Sequence, residues 1–193
     1  MKRLLLLVLL FPVLCSYSQK WEKNYDYVDD CVCGLSQVKK DGKVGYVSKD
    51  GKVVIKVEYD EGLTFSEGYT AVKKGAKWQY FDSTGKEITQ PVFEDALGFS
   101  NGLAAVARDS HYGYINTSGE VVIPFEFSNA HPFSDGLAPA ENEKGLWGYI
   151  NSKGSWVISP SYDFTDVFAN GEARVMKSGK MFYIDKKNNK LHE

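Results

Sequence analysis

Three histidines are the side chains best suited to acid–base or metal chemistry in this sequence. His111, His131 and His192 each lack a cysteine or glutamate at the spacing that a metal site requires. No serine lies in the G-x-S-x-G setting of a hydrolase nucleophile, although the members of a Ser-His-Asp triad need not be adjacent in sequence. Catalysis needs several titratable groups that converge on one point. We therefore predict solvated histidines, no catalytic residue, no cofactor and no metal site, and hence a protein that is not an enzyme.

Two cysteines, Cys31 and Cys33, form a C-x-C pair in the N-terminal part of the chain. A disulfide between them would be strained, because i and i+2 side chains on one strand have Cα atoms near the upper limit for a bridge. A metal site would need further ligands, and no histidine lies nearby. We favour two small apolar residues that fill a terminal repeat, and the oxidation state stays open.

An acidic residue recurs at a spacing of about 34 residues through most of the chain. The column contains Asp26, Asp60, Glu94 and Asp163, and Ser128 interrupts it. Such a row could bind Ca2+ or a basic partner, but calcium sites gather several oxygens within one short loop. Aspartate also accepts hydrogen bonds from nearby turn amides, and we favour this structural role.

The aromatic side chains offer a different chemistry, the stacking of a sugar or a cation on a ring. Segment 78–86 resembles the hairpin of choline-binding cell-wall repeats, but the period here is far longer, and most recurring aromatics are needed in a core. Trp156 is different, because its position varies between copies. The corresponding residues are Val53, Glu87, Val121 and Lys190. Trp156 is therefore the one candidate ligand contact, while the interpretation that we favour for it is packing beneath a loop.

These columns arise from an internal repeat of about 34 residues. The motif Phe-Ser-x-Gly begins at Phe65, Phe99 and Phe133, and altered copies begin at Cys31 and Phe168. A tyrosine recurs in all five copies. These tyrosines are Tyr46, Tyr80, Tyr114, Tyr149 and Tyr183. The single inserted residue falls between Ala140 and Trp147, in a predicted loop.

Each copy is predicted to form three short strands joined by tight turns. Residues 102–107, 147–151 and 121–124 exemplify the first, second and third strands, and Asn/Asp-x-x-Gly loops join the second to the third. No segment shows a 3.6-residue apolar period, so helices are not expected. One copy buries too little apolar surface to offset its ordering entropy, whereas stacked copies shield one another.

The predicted fold is therefore all-β, with five tandem three-stranded antiparallel β-meander repeats in a solenoid-like or propeller-like array. A typical propeller blade has four strands in about 40–45 residues, which favours the solenoid. The predicted segments are a signal peptide at 1–18, a lead-in at 19–24 and an array at 25–193. The predicted repeats span 25–58, 59–92, 93–126, 127–161 and 162–193.

The N-terminal segment and the composition indicate where the protein acts. Lys2 and Arg3 precede an apolar run at 4–14, and small residues then offer a cleavage site before Gln19, which is typical of a secretory signal peptide. Lipidation of Cys15 is disfavoured because Val13 and Leu14 precede it. Later segments are too short to span a membrane. A net charge of −2 with mixed signs gives no reason to expect nucleic acid. We expect an exported protein, periplasmic or extracellular.

The repeat pattern resembles the WG (also KWG) repeat family of bacterial proteins. The copy most similar to the family pattern runs from Gly136-Leu137-Ala138 through Trp147-Gly148-Tyr149-Ile150-Asn151 to Tyr162-Asp163. The resemblance covers about residues 25–193, although Trp-Gly itself occurs only at 147–148. It implies a β-rich repeat structure and transfers no activity or catalytic residue to individual positions.

The sequence thus predicts a non-catalytic binding or scaffold module for a protein or envelope polymer, because extended repeat surfaces suit that role. The alternative is recognition of the cell wall or of a glycan through exposed aromatic side chains.

Overall fold

The computed structural model describes residues 20–193, which form eighteen β-strands and one short 3-10 turn, Glu22–Asn24. The strands group into five antiparallel sheets that follow one another along the chain. No helix in this part of the chain is long and apolar enough to cross a bilayer. The prediction of an all-β repeat fold is confirmed.

The strands of the first three sheets share one order along the chain, with each strand paired to the next. The first sheet contains β1 (Tyr27–Val32), β2 (Leu35–Lys40), β3 (Lys43–Ser48) and β4 (Val53–Tyr59). The second contains β5 (Glu61–Gly62), β6 (Tyr69–Lys74) and β7 (Lys77–Asp82). The third contains β8 (Asp95–Ala96), β9 (Leu103–Arg108), β10 (His111–Asn116) and β11 (Val121–Phe127).

The last two sheets repeat the pattern. The fourth contains β12 (Asn129–Ala130), β13 (Ala138–Glu141), β14 (Trp147–Ile150) and β15 (Trp156–Tyr162). The fifth contains β16 (Phe164–Thr165), β17 (Glu172–Lys177) and β18 (Lys180–Asp185). In the second and fifth sheets, isolated bridges such as Trp78 with Phe93 and Ile184 with Lys190 stand where a further strand would pair.

Each sheet begins with a strand that the sequence did not predict, so that three of the sheets have four strands, while the second and fifth have three. In sheets two to five the additional strand is only two residues long, as in the pairing of Glu61 and Gly62 with Lys73 and Val72. The chain between the third strand and the Phe-Ser-x-Gly motif therefore pairs briefly instead of remaining irregular. Two residues carry too little periodicity to be recognised as a strand from sequence.

The predicted Asn-x-x-Gly loops form because the asparagine side chain substitutes for backbone partners. In the third sheet, Asn116 Oδ1 accepts hydrogen bonds from the amides of Ser118 (2.9 Å) and Glu120 (3.0 Å). Gly119 closes the loop with a φ of 82°, a conformation that glycine adopts without a steric penalty. This local chemistry brings β10 directly onto β11.

A ladder of buried tyrosines joins each sheet to the following one. Each tyrosine ring packs on the phenylalanine that opens the next motif, with centroid separations of 4.6–5.3 Å. Each hydroxyl also donates to a backbone carbonyl oxygen 17 residues later. The four bonds run from Tyr46 to Leu63, from Tyr80 to Leu97, from Tyr114 to His131 and from Tyr149 to Asp166. Because these rings and hydroxyls are buried, the ladder fixes the spacing between consecutive sheets.

The array is open, and separate residues cover its two ends. Sheet packing within residues 20–193 runs mainly between consecutive sheets, as for β3 with β5 and β15 with β17. At the N-terminal end, the Trp21 ring packs on Gly51, where later copies place Val54 against Gly85. At the C-terminal end, Tyr183 stacks on His192 with ring centroids 4.4 Å apart. Trp21 and His192 thus occupy places that a neighbouring sheet fills inside the array.

Candidate functional site

Trp156 begins β15 and lies at the boundary between the third and fourth sheets. Its indole packs edge-on against Phe127, with centroids 5.5 Å apart and planes at 90°. The side chain keeps 37% of its surface exposed, so its neighbours cover it only in part. Contact with a ligand stays a prediction.

The Trp156 side chain forms one wall of an open cleft of about 440 Å3. The cleft is lined by Glu126, Phe127, Asn142, Glu143, Lys144 and Trp156. Glu126 and Phe127 come from the end of β11. Asn142, Glu143 and Lys144 lie in the loop between β13 and β14. The lining therefore combines two aromatic rings, one amide, two carboxylates and one ammonium group.

The polar groups of the cleft have few partners in the protein itself. Over the described range 20–193, the side chains of Glu126, Glu143 and Lys144 make neither a hydrogen bond nor an ion pair. Exposed acids elsewhere are often paired, as Glu58 is with Lys74 at 2.8 Å. The cleft thus presents charged groups that are available to a bound molecule.

The cleft forms where the acidic column is interrupted. In the other four copies, the carboxylate accepts a hydrogen bond of 2.6–2.9 Å from a backbone amide of the first hairpin turn. The pairs are Asp26 with Asp41, Asp60 with Gly75, Glu94 with Ser110, and Asp163 with Ser178. These bonds support the structural role predicted for the column. The Lys43 ammonium group and then the Gly75 amide lower the pKa of Asp60, while the Ser110 amide and then Lys77 lower the pKa of Glu94.

The fourth sheet has Ser128 in that column and a hairpin loop that is one residue longer. The loop bonds to itself instead, because Asn142 Oδ1 accepts from the amides of Lys144 (2.9 Å) and Leu146 (3.1 Å). Ser128 contributes only its backbone amide, which donates to the carbonyl oxygen of Glu141 at 2.9 Å. Loss of the carboxylate and growth of the loop coincide at the cleft.

The three histidines lie in separate places and do not converge. His111 Nδ1 is 3.0 Å from the Asp109 carbonyl oxygen, and His192 Nε2 is 3.3 Å from Glu172 Oε2. The His131 ring packs on Trp147 with centroids 4.8 Å apart. Burial lowers the pKa of His131, although nearby carboxylates act in the opposite direction. His131 is thus part of the packing instead of a fully solvated surface residue.

The two cysteines do not fill the core of the terminal repeat as expected. Cys31 and Cys33 are both exposed and both free thiols. Cys33 occupies the turn position with a φ of 52°, which also holds Glu67 and Asn101 in later copies. Cys31, in β1, is exposed because no sheet precedes the first one in the described chain, whereas Cys33 lies in a turn that is exposed in the later copies as well. Within residues 20–193, no group of three or more His, Cys, Asp and Glu side chains is arranged to hold a metal ion.

The recurring aromatics belong to the core, as expected. Trp78 and Trp147 are buried, and burial raises the pKa of Tyr114 and Tyr149 far above the usual value for a phenol. These side chains are therefore unsuited to contact a ligand. The missed feature is the cleft itself, and its sequence signal was the coincidence of Ser128 with the inserted residue.

Comparison with known families is consistent with this repeat architecture. The sequence model of the WG-containing repeat matches four consecutive stretches, residues 45–78, 80–110, 112–145 and 147–180. No curated protein matches the chain.

Several solved structures have a similar fold. A eukaryotic initiation factor gives a TM-score of 0.56 at 12% identity, over 86% of this chain and 53% of that one. Hsv2 from Kluyveromyces lactis gives a TM-score of 0.53 at 12% identity, over 82% of this chain and 59% of that one. At such identities the likeness concerns the fold alone, and this chain spans about three fifths of the Hsv2 structures.

Proposed function

The chain belongs to the WG-containing repeat family, and we propose that it is an exported, non-catalytic module that binds a protein or an envelope polymer. Repeat arrays provide extended surfaces on a rigid core. The recurring aromatics are used for that core, so binding depends on positions that differ between copies.

The cleft beside Trp156 is the observation that carries this proposal. It joins an exposed indole to charged groups that have no partner in the described chain. Exposed aromatic side chains surrounded by polar groups are frequent at interaction sites. The three histidines, in contrast, lie in separate parts of the array, which supports binding over catalysis.

A pull-down from envelope extract with the chain starting at Gln19 tests the binding proposal. Trp156→Ala is expected to reduce capture of the partner. Val53→Ala is a matched control, because Val53 holds the same repeat position in the first sheet and is also exposed (45%). Equal capture by all three proteins would place the binding surface elsewhere, and failure to enrich any component would argue against a binding module.

The prediction of export depends on residues 1–18, which include Cys15 and lie outside the described range. After expression of the full chain, the mature protein is expected to be recovered outside the cytoplasm with Gln19 as its first residue. N-terminal sequencing of the fractionated protein checks this expectation. An uncut N-terminus in the cytoplasmic fraction would refute the proposed export.

A glycan is the second candidate ligand, favoured by the exposed Trp156 indole and by the Asn142 amide at the rim. Binding of the mature chain to purified envelope glycans would be measured by sedimentation. Unchanged binding after Trp156→Ala would argue against this candidate.

A further inference from the structure

An ion pair between the first and second sheets provides an internal template for the cleft. Lys74, directly before the first hairpin turn of the second sheet, places its Nζ 2.8 Å from Glu58 Oε1. The same ammonium group lies 5.9 Å from the centroid of the Tyr59 ring. Carboxylate and ring together hold the cation at the boundary between the two sheets.

The same repeat position supplies a cation to an aromatic ring in two further sheets. Lys177 lies over Tyr162, with Nζ 5.6 Å from the ring centroid. Arg108 places its guanidinium carbon 4.2 Å from the centroid of Phe125. A cation resting on an aromatic face is therefore a recurring feature of this array.

The boundary between the third and fourth sheets keeps the acceptor groups of this arrangement but lacks the cation. Glu126 and Phe127 stand two repeat lengths after Glu58 and Tyr59, while Asn142 stands in the place of Lys74. Asn142 is uncharged, and its carbonyl oxygen is engaged within the loop. Glu126 has no ion-pair partner within residues 20–193. The place that a lysine occupies in the second sheet is open here and coincides with the cleft.

Two departures from the repeat increase the attraction of the cleft for a cation. The longer loop brings Glu143 to the lining, and Trp156 adds an indole where the second sheet has Glu87. Indole is the aromatic ring that binds cations best. Lys144 also lines the cleft, but its ammonium group pairs with neither carboxylate. The lining therefore carries one negative charge in excess.

We propose that the cleft binds the ammonium group of a lysine or the guanidinium group of an arginine that a protein partner inserts. The inference rests on the proposed binding function and specifies the partner's chemistry. A protein side chain fits because the template is itself a side chain that reaches over an aromatic ring from a neighbouring turn. An uncharged sugar would leave Glu126 and Glu143 without a counter-charge.

The test is a titration of the mature, 15N-labelled chain followed by NMR at the Trp156 indole N–H. The probes are acetylated pentapeptides with a central lysine, arginine or glutamine in a glycine background, butylammonium as a free amine, and chitotriose as a neutral sugar. The lysine and arginine peptides are expected to shift the indole signal saturably, more tightly than butylammonium. The glutamine peptide and chitotriose are expected to leave it unchanged.

Variants separate the proposed contacts from general effects on the fold. Glu126→Gln is expected to lower the affinity for the lysine and arginine peptides by about threefold. Trp156→Ala is expected to lower it by about fivefold. Glu58→Gln is the matched control and should leave their affinity unchanged, because Glu58 already pairs with Lys74. Asn142→Lys restores the template and is expected to abolish binding, with a thermal midpoint at or above that of the parent showing that it folds.

Each alternative has its own outcome. Saturable shifts with chitotriose but not with the cationic peptides would overturn the proposal in favour of a sugar. Equal affinity for butylammonium would refute a peptide-borne cation. No response to any probe would refute the cleft as a cation site, while a partner captured from envelope extract equally well by Glu126→Gln would leave the general binding function standing.

Discussion

Replacing Tyr114 by phenylalanine tests whether hydroxyl-to-carbonyl bonds hold consecutive sheets together. The Tyr114 ring is fully buried, and its hydroxyl donates to the His131 carbonyl oxygen at 2.8 Å across the boundary between the third and fourth sheets. The variant retains the ring and its packing on Phe133, so the change isolates the bond.

The expected loss combines two effects. A hydrogen bond contributes about 1 kcal/mol net, and a buried carbonyl left without its donor adds a further penalty. We therefore expect the free energy of unfolding to fall by about 2 kcal/mol. For a chain of this length, that corresponds to a thermal midpoint lower by roughly 4–8 °C.

Tyr183→Phe provides the matched control, because Tyr183 is the last member of the same column. Its ring stacks on His192, and no hydroxyl bond of the ladder type follows it within residues 20–193. The free energy of unfolding of Tyr183→Phe should therefore fall by no more than about 0.5 kcal/mol. Urea unfolding followed by tyrosine and tryptophan fluorescence measures both variants. Equal losses for the two, or no loss for Tyr114→Phe, would refute the role assigned to the ladder.

Three further predictions concern the scaffold. Gly113→Ala should destabilise the fold by about 2 kcal/mol in thermal melts, because the added methyl would lie 2.6 Å from the Ile123 carbonyl oxygen. Gly98→Ala is the control and should be nearly neutral, because its added methyl would have its nearest neighbour at 3.6 Å. Trp21→Ala should increase hydrogen exchange in the first sheet before the others, and uniform exchange along the array would contradict its role as an end cap. The lowered pKa of His131 means that the unfolded chain binds the proton more readily, so its contribution to stability is present above about pH 6.5 and is lost as the pH falls below that value. Urea midpoints at pH 7.5 and 5.5 should therefore differ less in His131→Gln than in the parent, and an unchanged difference would refute this.

The sequence predicted the repeating features well because each depends on interactions within a few residues or within one period. Asn116 and Gly119 specify a hairpin loop by their own chemistry. The recurrence of Tyr114 at a fixed spacing predicted a buried column, because identical copies must stack through the same side chains. The acidic column was likewise interpreted correctly, since a carboxylate near a turn accepts the amides of that turn.

Features at the ends of the array and between copies escaped prediction for a common reason. Cys31 was expected in the core, but the periodic pattern does not reveal that, within residues 20–193, no sheet precedes the first one and covers this side chain. The two-residue strands form only because the neighbouring strand is already in place, which no local propensity signals.

The sequence by itself determined the all-β class, the five copies and the tyrosine column, because a period of side chains translates directly into a stack of layers. Only the tertiary structure decided where a cleft opens. Glu126, Asn142 and Trp156 are distant in sequence and meet because the third and fourth sheets pack against each other. The physical reason is that asparagine in place of lysine at position 142 opens a cleft only because folding brings the Glu126 carboxylate and the Phe127 ring beside that position.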